Sequence, residues 1–490
     1  MRRLSLLVIA VLLLLSLCSW GEQRQITILY TNDTHDFLLP FSYPDPMNPK
    51  EQYASMPVIK DIGGIARRAT LARQIKNEMH GNALFLDGGD IMEGQALGVV
   101  YNGAADFDAM SAAGYDAMVL GNHDFQCPIA QFYKNLQLAK FTVLCANVLD
   151  RKTQKMILPP YRIFDVNGLK VGLVGVTAVM AQGCEAAKDN LDVPDPYETA
   201  KRFVPIVRRK SDLVVVLSHL GNGEDGILAK QVPGIDVIVG AHSHTRLPIP
   251  QVVNGTIILQ DYEKGGELGR LDLQLERDGG PFHITSHSNK LIPITKDIPG
   301  DRATARVVSK YYDPIAKEYG RVIGKATATF YDDRTHESTV LNLVCDAIRE
   351  KAKTPISFYG YAGVRADLPA GPIKAWDIAT ILPFKNKIII MDVTGSKLKQ
   401  IINDLEYKPG VSGMTYHTVG KKLVSAALLD GTPIDDGKTY QVATIDWLQG
   451  LYFKDVHFRE INATSYSAVV DYIKARKTVS PVIDGRKKIE

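Results

Sequence analysis

Between Gln25 and about Ile292 the chain alternates short, β-rich apolar runs with amphipathic stretches. ITILY (26–30), ALFLD (83–87), AMVLG (117–121), FTVLCANV (141–148), KVGLVGV (170–176), DLVVVLS (212–218) and DVIVG (236–240) are apolar at nearly every position, the pattern of strands buried on both faces. Segments such as GIARRATLARQIKNEM (64–79) between them carry apolar residues at helical spacing. That alternation predicts a layered α/β domain over 25–292 with much of its sheet sandwiched. Pro299, Gly300 and the charged stretch 301–320 then predict a partly helical linker over 293–325. A second domain, α+β, follows over 326–490, with a helix near 338–352 and a strand at 387–395. No internal repeat or low-complexity tract interrupts the pattern.

The N-terminus changes where this protein is expected to work. MRRLSLLVIAVLLLLSLCSWG (1–21) starts with two arginines, continues as an apolar run and ends in small residues, the layout of a cleaved secretory signal. Export to the periplasm or cell envelope follows, with a lipid anchor at Cys18 as one alternative and an uncleaved anchor as another. Five cysteines without CxxC spacing make neither a disulfide framework nor a zinc knuckle. Lys plus Arg (57) nearly balances Asp plus Glu (54), so charge gives no reason to expect a nucleic-acid partner.

The candidate chemistry lies just after the strands. ITILY is followed by Asp33 and His35, ALFLD by Asp90, AMVL by Asn122 and His123, VVVLS by His219, and VIVG by His242 and His244. In an open α/β sheet the carboxyl ends of the strands share one edge, where ligands bind. Two carboxylates, an amide oxygen and several imidazoles meeting there suit Zn, Mn, Fe or Ni better than Mg or Ca. Taken singly, each loop has a bland reading: DxH is commonly a turn or cap, GGD a tight turn, His219 a satisfied core histidine, HSH a polar loop. Five such loops, each at a strand end, read better as one site. Two ions about 3.5–4 Å apart would serve in-line displacement at phosphorus.

As they stand here, NDTHD, GGDIMEG, GNHDF, SHLG and GAHSHT resemble the motifs of the metallophosphoesterase (calcineurin-like) superfamily, in its 5′-nucleotidase branch. The resemblance implies an N-terminal metallophosphoesterase β-sandwich flanked by helices and a C-terminal substrate-binding domain. It implies two divalent ions, Zn, Mn or similar: Asp33, His35, Asp90 and His244 on one, Asp90, Asn122, His219 and His242 on the other. His123 would contact a phosphate oxygen or the leaving group. The family commonly reads NHEFD, whereas Asp124 and Gln126 stand here, so the residue expected to orient His123 is a neutral amide. In the second domain GVRADLPAG resembles the family's GG(I/V)R loop, which implies Arg365 as a phosphate ligand, with Arg334 of DDRTHES as a second. Phe384 of ILPFKNK matches a base-stacking ring and Asn386 a polar base contact. The loop that usually brings a second ring reads WLQGLYF, leaving Tyr452 or Phe453 to supply it. The implied activity is release of inorganic phosphate from nucleoside 5′-monophosphates by a metal-activated water, in nucleotide catabolism. Alternatives are a 2′,3′-cyclic-nucleotide or nucleotide-sugar hydrolase on the same site, and a metal-bound surface binding protein without turnover.

Overall fold

A computed structural model describes residues 22–44, 58–384, 386–405 and 407–490. The signal-like segment 1–21, with Cys18, lies outside the described residues. Two compact units emerge. The first gathers the described residues up to Thr34 with Ile62–Ile91 and Phe107–Ala305; the second gathers Arg306–Glu490 with Met92–Asp106 and the described part of His35–Asp61.

The apolar runs of the first unit become strands β1 (Glu22–Thr31), β2 (Ala83–Asp87), β3 (Ala117–Val119), β4 (Thr142–Leu144), β5 (Tyr161–Val166), β6 (Leu169–Thr177), β7 (Leu213–His219), β8 (Val237–Gly240), β9 (Gln251–Val253), β10 (Thr256–Leu259), β11 (Glu267–Arg277) and β12 (His283–Pro293). They form two six-stranded sheets, ordered β12-β11-β1-β2-β3-β4 and β9-β10-β8-β7-β6-β5. Pairing is parallel from β1 to β4 and from β6 through β7 and β8 to β10, and antiparallel at the edges. The sheets face one another through β3 and β4 on one side and β6 and β7 on the other. Gly175 permits this approach, because a Cβ there would come within 2.9 Å of Leu144. The outer faces are covered by helices, Ile65–Glu78 beside β2 and Pro196–Arg208 beside β6. Ala200, Phe203, Val204 and Val207 of the latter are buried against Val174, Val176, Val214 and Val216. The apolar runs predicted a layered α/β domain, and the helix-flanked sandwich is what the family resemblance implied; β2, β7 and β8 are buried along their whole length.

Residues Arg302–Tyr319 form one helix, begun by the Asp301 carboxylate, which accepts from Thr304 N–H at 2.9 Å. In the second unit lie β13 (Ile356–Tyr359), β14 (Lys387–Thr394), β15 (Gly410–Ser412), β16 (Met414–Val419), β17 (Lys422–Leu428), β18 (Thr439–Ile445), β19 (Phe458–Thr464) and β20 (Lys487–Ile489). A mixed sheet runs β15-β13-β18-β14-β19, and a smaller one β17-β16-β20. Helices Thr339–Ala352 and Ser465–Arg476 pack together beside the larger sheet. Among the described residues no helix is long and apolar enough to cross a membrane.

Candidate metal centre

Parallel pairing sets the site. Thr31 is level with Asp87 and Leu86 with Ala117, so the turns after β1, β2 and β3 leave one edge together, and β7 beside β8 does the same in the facing sheet. The turns interlock: Asp33 N–H donates to Gly89 O at 2.9 Å, and a Cβ on Gly88 would lie 2.8 Å from that of Ala241.

Two clusters result. Asp33, His35 and His244 each offer an atom within 4.8 Å of the others, and so do Asp90, His219 and His242. Five of these six hold positive φ although none is glycine: Asp33 (50°), His35 (47°), Asp90 (57°), His242 (74°) and His244 (50°). Each such residue costs on the order of 1 kcal/mol of strain, which the surrounding packing must hold in place.

Hydrogen bonding orients the imidazoles. Nδ1 of His219 lies 2.8 Å from Gly88 O and Nδ1 of His35 lies 2.8 Å from Met92 O, which places the ring proton on Nδ1. Nε2 of His35 lies 3.0 Å from the Arg365 guanidinium, which donates to it. His244 Nδ1 meets Glu263 at 2.6 Å, and its Nε2 is 3.5 Å from Asp33. His219 Nε2 is 3.1 Å from Asp90 Oδ2 without hydrogen-bond alignment. Asn122 Oδ1 is buried with no hydrogen-bond partner, a cost of about 1–3 kcal/mol that a cation would remove. This donor set of imidazole nitrogen, carboxylate and amide oxygen fits divalent transition ions.

The electrostatics point the same way. Burial opposes charge on His219, yet Asp90 outweighs it and raises the imidazole to about 10. Burial likewise opposes charge on His244, but Asp33 and Glu263 raise it to about 9. His242 is lowered to about 4 by burial and by the neighbouring His219 charge. The carboxylates thus demand positive charge, and bound cations would supply it in place of protons.

His123 behaves differently from the cluster. Its side chain is 18% exposed, its Nε2 is 3.9 Å from Asp90 Oδ2, and its backbone N–H donates to Asp90 Oδ1 at 2.7 Å. It begins the 3₁₀ turn His123–Phe125. The side-chain oxygen of Gln126, expected to serve the His123 ring, accepts from Glu185 N–H at 3.3 Å, beside an Ala186 N–H to Phe125 O bond of 2.8 Å. Gln126 therefore ties the His123 turn to the 184–186 segment. Replacing it by alanine is expected to lower kcat on the order of tenfold, the scale of a supporting residue, with bound metal unchanged; steady-state rates and elemental analysis check this.

Two supports were missed in the sequence. Asp124 accepts from the backbone N–H of Asp90 (3.0 Å), Ile91 (2.9 Å) and Gly121 (2.7 Å), clamping two ligand turns together. Glu263 orients His244, and Lys264 and His244 hold its carboxyl well below the usual range in spite of burial. An Asp beside a known His is a visible signal; Glu263, 19 positions beyond His244, has none.

In the second unit Arg365 follows the 3₁₀ turn Tyr361–Gly363 and is half-buried, its N–H on Ile381 O at 3.0 Å. Arg334 is exposed, 5.7 Å above the Tyr407 ring, with Asp332 at 3.9 Å. Phe384 is half-buried and lines a small apolar cleft with Tyr319, Ala379, Leu382, Thr464 and Tyr466. The Asn386 side chain bonds the Tyr359 hydroxyl. Phe453, expected as a stacking ring, is corrected: it is 1% exposed, packed in the core 5.7 Å from Phe358, and has no open face. WLQGLYF folds into the helix Asp446–Tyr452, which turns Phe453 inward.

A sandwich of two largely parallel sheets with imidazoles and carboxylates clustered at their strand ends defines a metal-dependent phosphoesterase. The sequence profile of the calcineurin-like phosphoesterases matches residues 26–246, and that of the 5′-nucleotidase C-terminal domain matches residues 322–453. A 5′-nucleotidase of Vibrio cholerae is 28% identical over 464 residues, 83% of this chain and 80% of that protein. The structure of a 5′-nucleotidase precursor from Thermus thermophilus superposes with a TM-score of 0.85 at 28% identity, over 95% of this chain and 99% of that one. The sulfate thiohydrolase SoxB of Thermus thermophilus shares the fold, with a TM-score of 0.80 at 20% identity over 96% and 97% of the two chains. The chain belongs to the metallophosphoesterase family whose catalytic domain is joined to a 5′-nucleotidase C-terminal domain, and it is a metal-dependent phosphoric ester hydrolase.

Proposed function

We propose that the chain is an exported phosphohydrolase that releases inorganic phosphate from nucleoside 5′-monophosphates. The observation that carries this reading is the pair of ligand clusters with the buried, unpartnered Asn122 oxygen beside them. Asp33, His35, Asp90 and His244 would hold one ion, and Asp90, Asn122, His219 and His242 the other. Such ions supply Lewis acidity at phosphorus and an acidified water. His123, pinned through its backbone by Asp90, donates to the phosphoryl oxygens or the leaving oxygen as charge develops there. Arg334 and Arg365 hold the phosphate through planar, paired donors. Phe384 stacks on the base with little base selectivity, and Asn386 lies beside it in sequence. Residues 1–21 direct export.

A second reading, hydrolysis of 2′,3′-cyclic nucleotides or nucleotide sugars at the same centre, is favoured by one observation: Phe453 is buried, which leaves the half-buried Tyr452 of WLQGLYF to supply a second stacking ring. With Mn or Zn added, the purified protein is expected to release phosphate from AMP. Turnover of cyclic or sugar nucleotides with AMP inert would replace the first reading by the second, and no turnover of any phosphoester with metal bound would support a binding protein.

A further inference from the structure

We propose that Tyr361 and Lys487 are positioning residues for the phosphate-binding arginines: together they fasten the loop that carries Arg334 to the turn that leads into Arg365. The proposal rests on the reading of both arginines as phosphate ligands.

The loop 332–337 is tied to the segment 361–367 at two points. Tyr361, 3% exposed, donates its hydroxyl hydrogen to Asp333 O, with His336 O at 3.2 Å from the same oxygen. Asp332 N–H donates to the carboxylate of Asp367 at 2.7 Å. Arg334 sits between the anchored residues 333 and 336, and Arg365 between the anchored residues 361 and 367.

Lys487 completes the first tie. It is 5% exposed, lies on β20 level with Tyr416 of β16, and donates from Nζ to the Tyr361 hydroxyl at 2.9 Å, with Nζ 4.6 Å from the ring centroid. The phenol thus accepts from the ammonium and passes its own hydrogen to the loop, so its orientation is determined. The same C-terminal segment holds the end of the loop, since Glu337 accepts from Asp484 N–H and Gly485 N–H, both at 3.0 Å, and from Asn342 at 2.7 Å.

Burying an ammonium is costly where an apolar side chain would fill the same space. Burial indeed lowers Lys487 to about 8, while Asp333, Asp332 and Glu337 pull the other way and Lys408 adds to the lowering. The charge is retained where it orients one hydroxyl between two arginine loops. Tyr361 and Lys487 act through Arg334 and Arg365.

Tyr361→Phe keeps the ring and its packing and removes only the hydroxyl, and Lys487→Met keeps the stem. With AMP as substrate and inorganic phosphate as inhibitor, each is expected to raise KM and the phosphate inhibition constant about five- to tenfold, the scale of one lost hydrogen bond, with kcat held within about twofold. Lys487→Arg is expected to restore most of the affinity. Adding Tyr361→Phe to Arg334→Ala should cost little more than Arg334→Ala alone, because the two then act on one interaction. If Arg334→Ala and Arg365→Ala leave KM unchanged, the arginine assignment fails. If those raise KM while Tyr361→Phe lowers only the melting temperature, the arginine assignment stands and the positioning role is overturned.

Discussion

Replacing Asp90 by alanine is expected to abolish phosphoester hydrolysis, lowering kcat/KM on the order of 10³-fold or more. The magnitude follows from losing several kcal/mol of metal-supplied charge stabilisation at about 1.4 kcal/mol per tenfold. Asp90 Oδ2 lies 3.1 Å from His219 and 3.9 Å from His123, and its Oδ1 anchors the His123 backbone at 2.7 Å. Its charge also raises the buried Asp124 carboxyl, second to burial itself, to about 8. Removing Asp90 therefore strips one cluster of its anion and loosens the turn that carries His123. Initial rates, metal content by elemental analysis and thermal unfolding measured together separate these effects. Asp90→Ala that keeps both its metal and its rate would remove the candidate centre from consideration.

His123→Ala is expected to act on the chemical step alone, with kcat down about 10²–10³-fold, the loss for one donor to transition-state charge. Metal content and KM should hold. The distinction comes from geometry: His123 belongs to neither ligand group, and it is attached to Asp90 through its backbone N–H at 2.7 Å. A kcat within about twofold of the parent would exclude His123 from the reaction, and lost metal would make it a ligand.

Much of the first unit was legible because buried parallel strands write themselves as continuous apolar runs. From ITILY to DVIVG each run contains a strand, although FTVLCANV is strand only at Thr142–Leu144, and polar residues at strand ends become neighbours once the pairing is parallel. The second unit was harder. WLQGLYF has aromatic residues that suit a stacking loop, yet local helix formation and the hydrophobic gain of burying Phe453 against Phe358 turn that ring into the core.

By itself, then, the sequence determined which residues stand at the strand ends, since a period of two and a run length of about five residues are local properties of the chain. Only the tertiary structure decided what surrounds them. The left-handed backbone at Asp33, His35, Asp90, His242 and His244, the Asp124 clamp, Glu263 behind His244 and Lys487 beneath Tyr361 all depend on segments distant in the chain. Such partners are selected by packing and by the need to satisfy every buried polar group, and no local pattern encodes them.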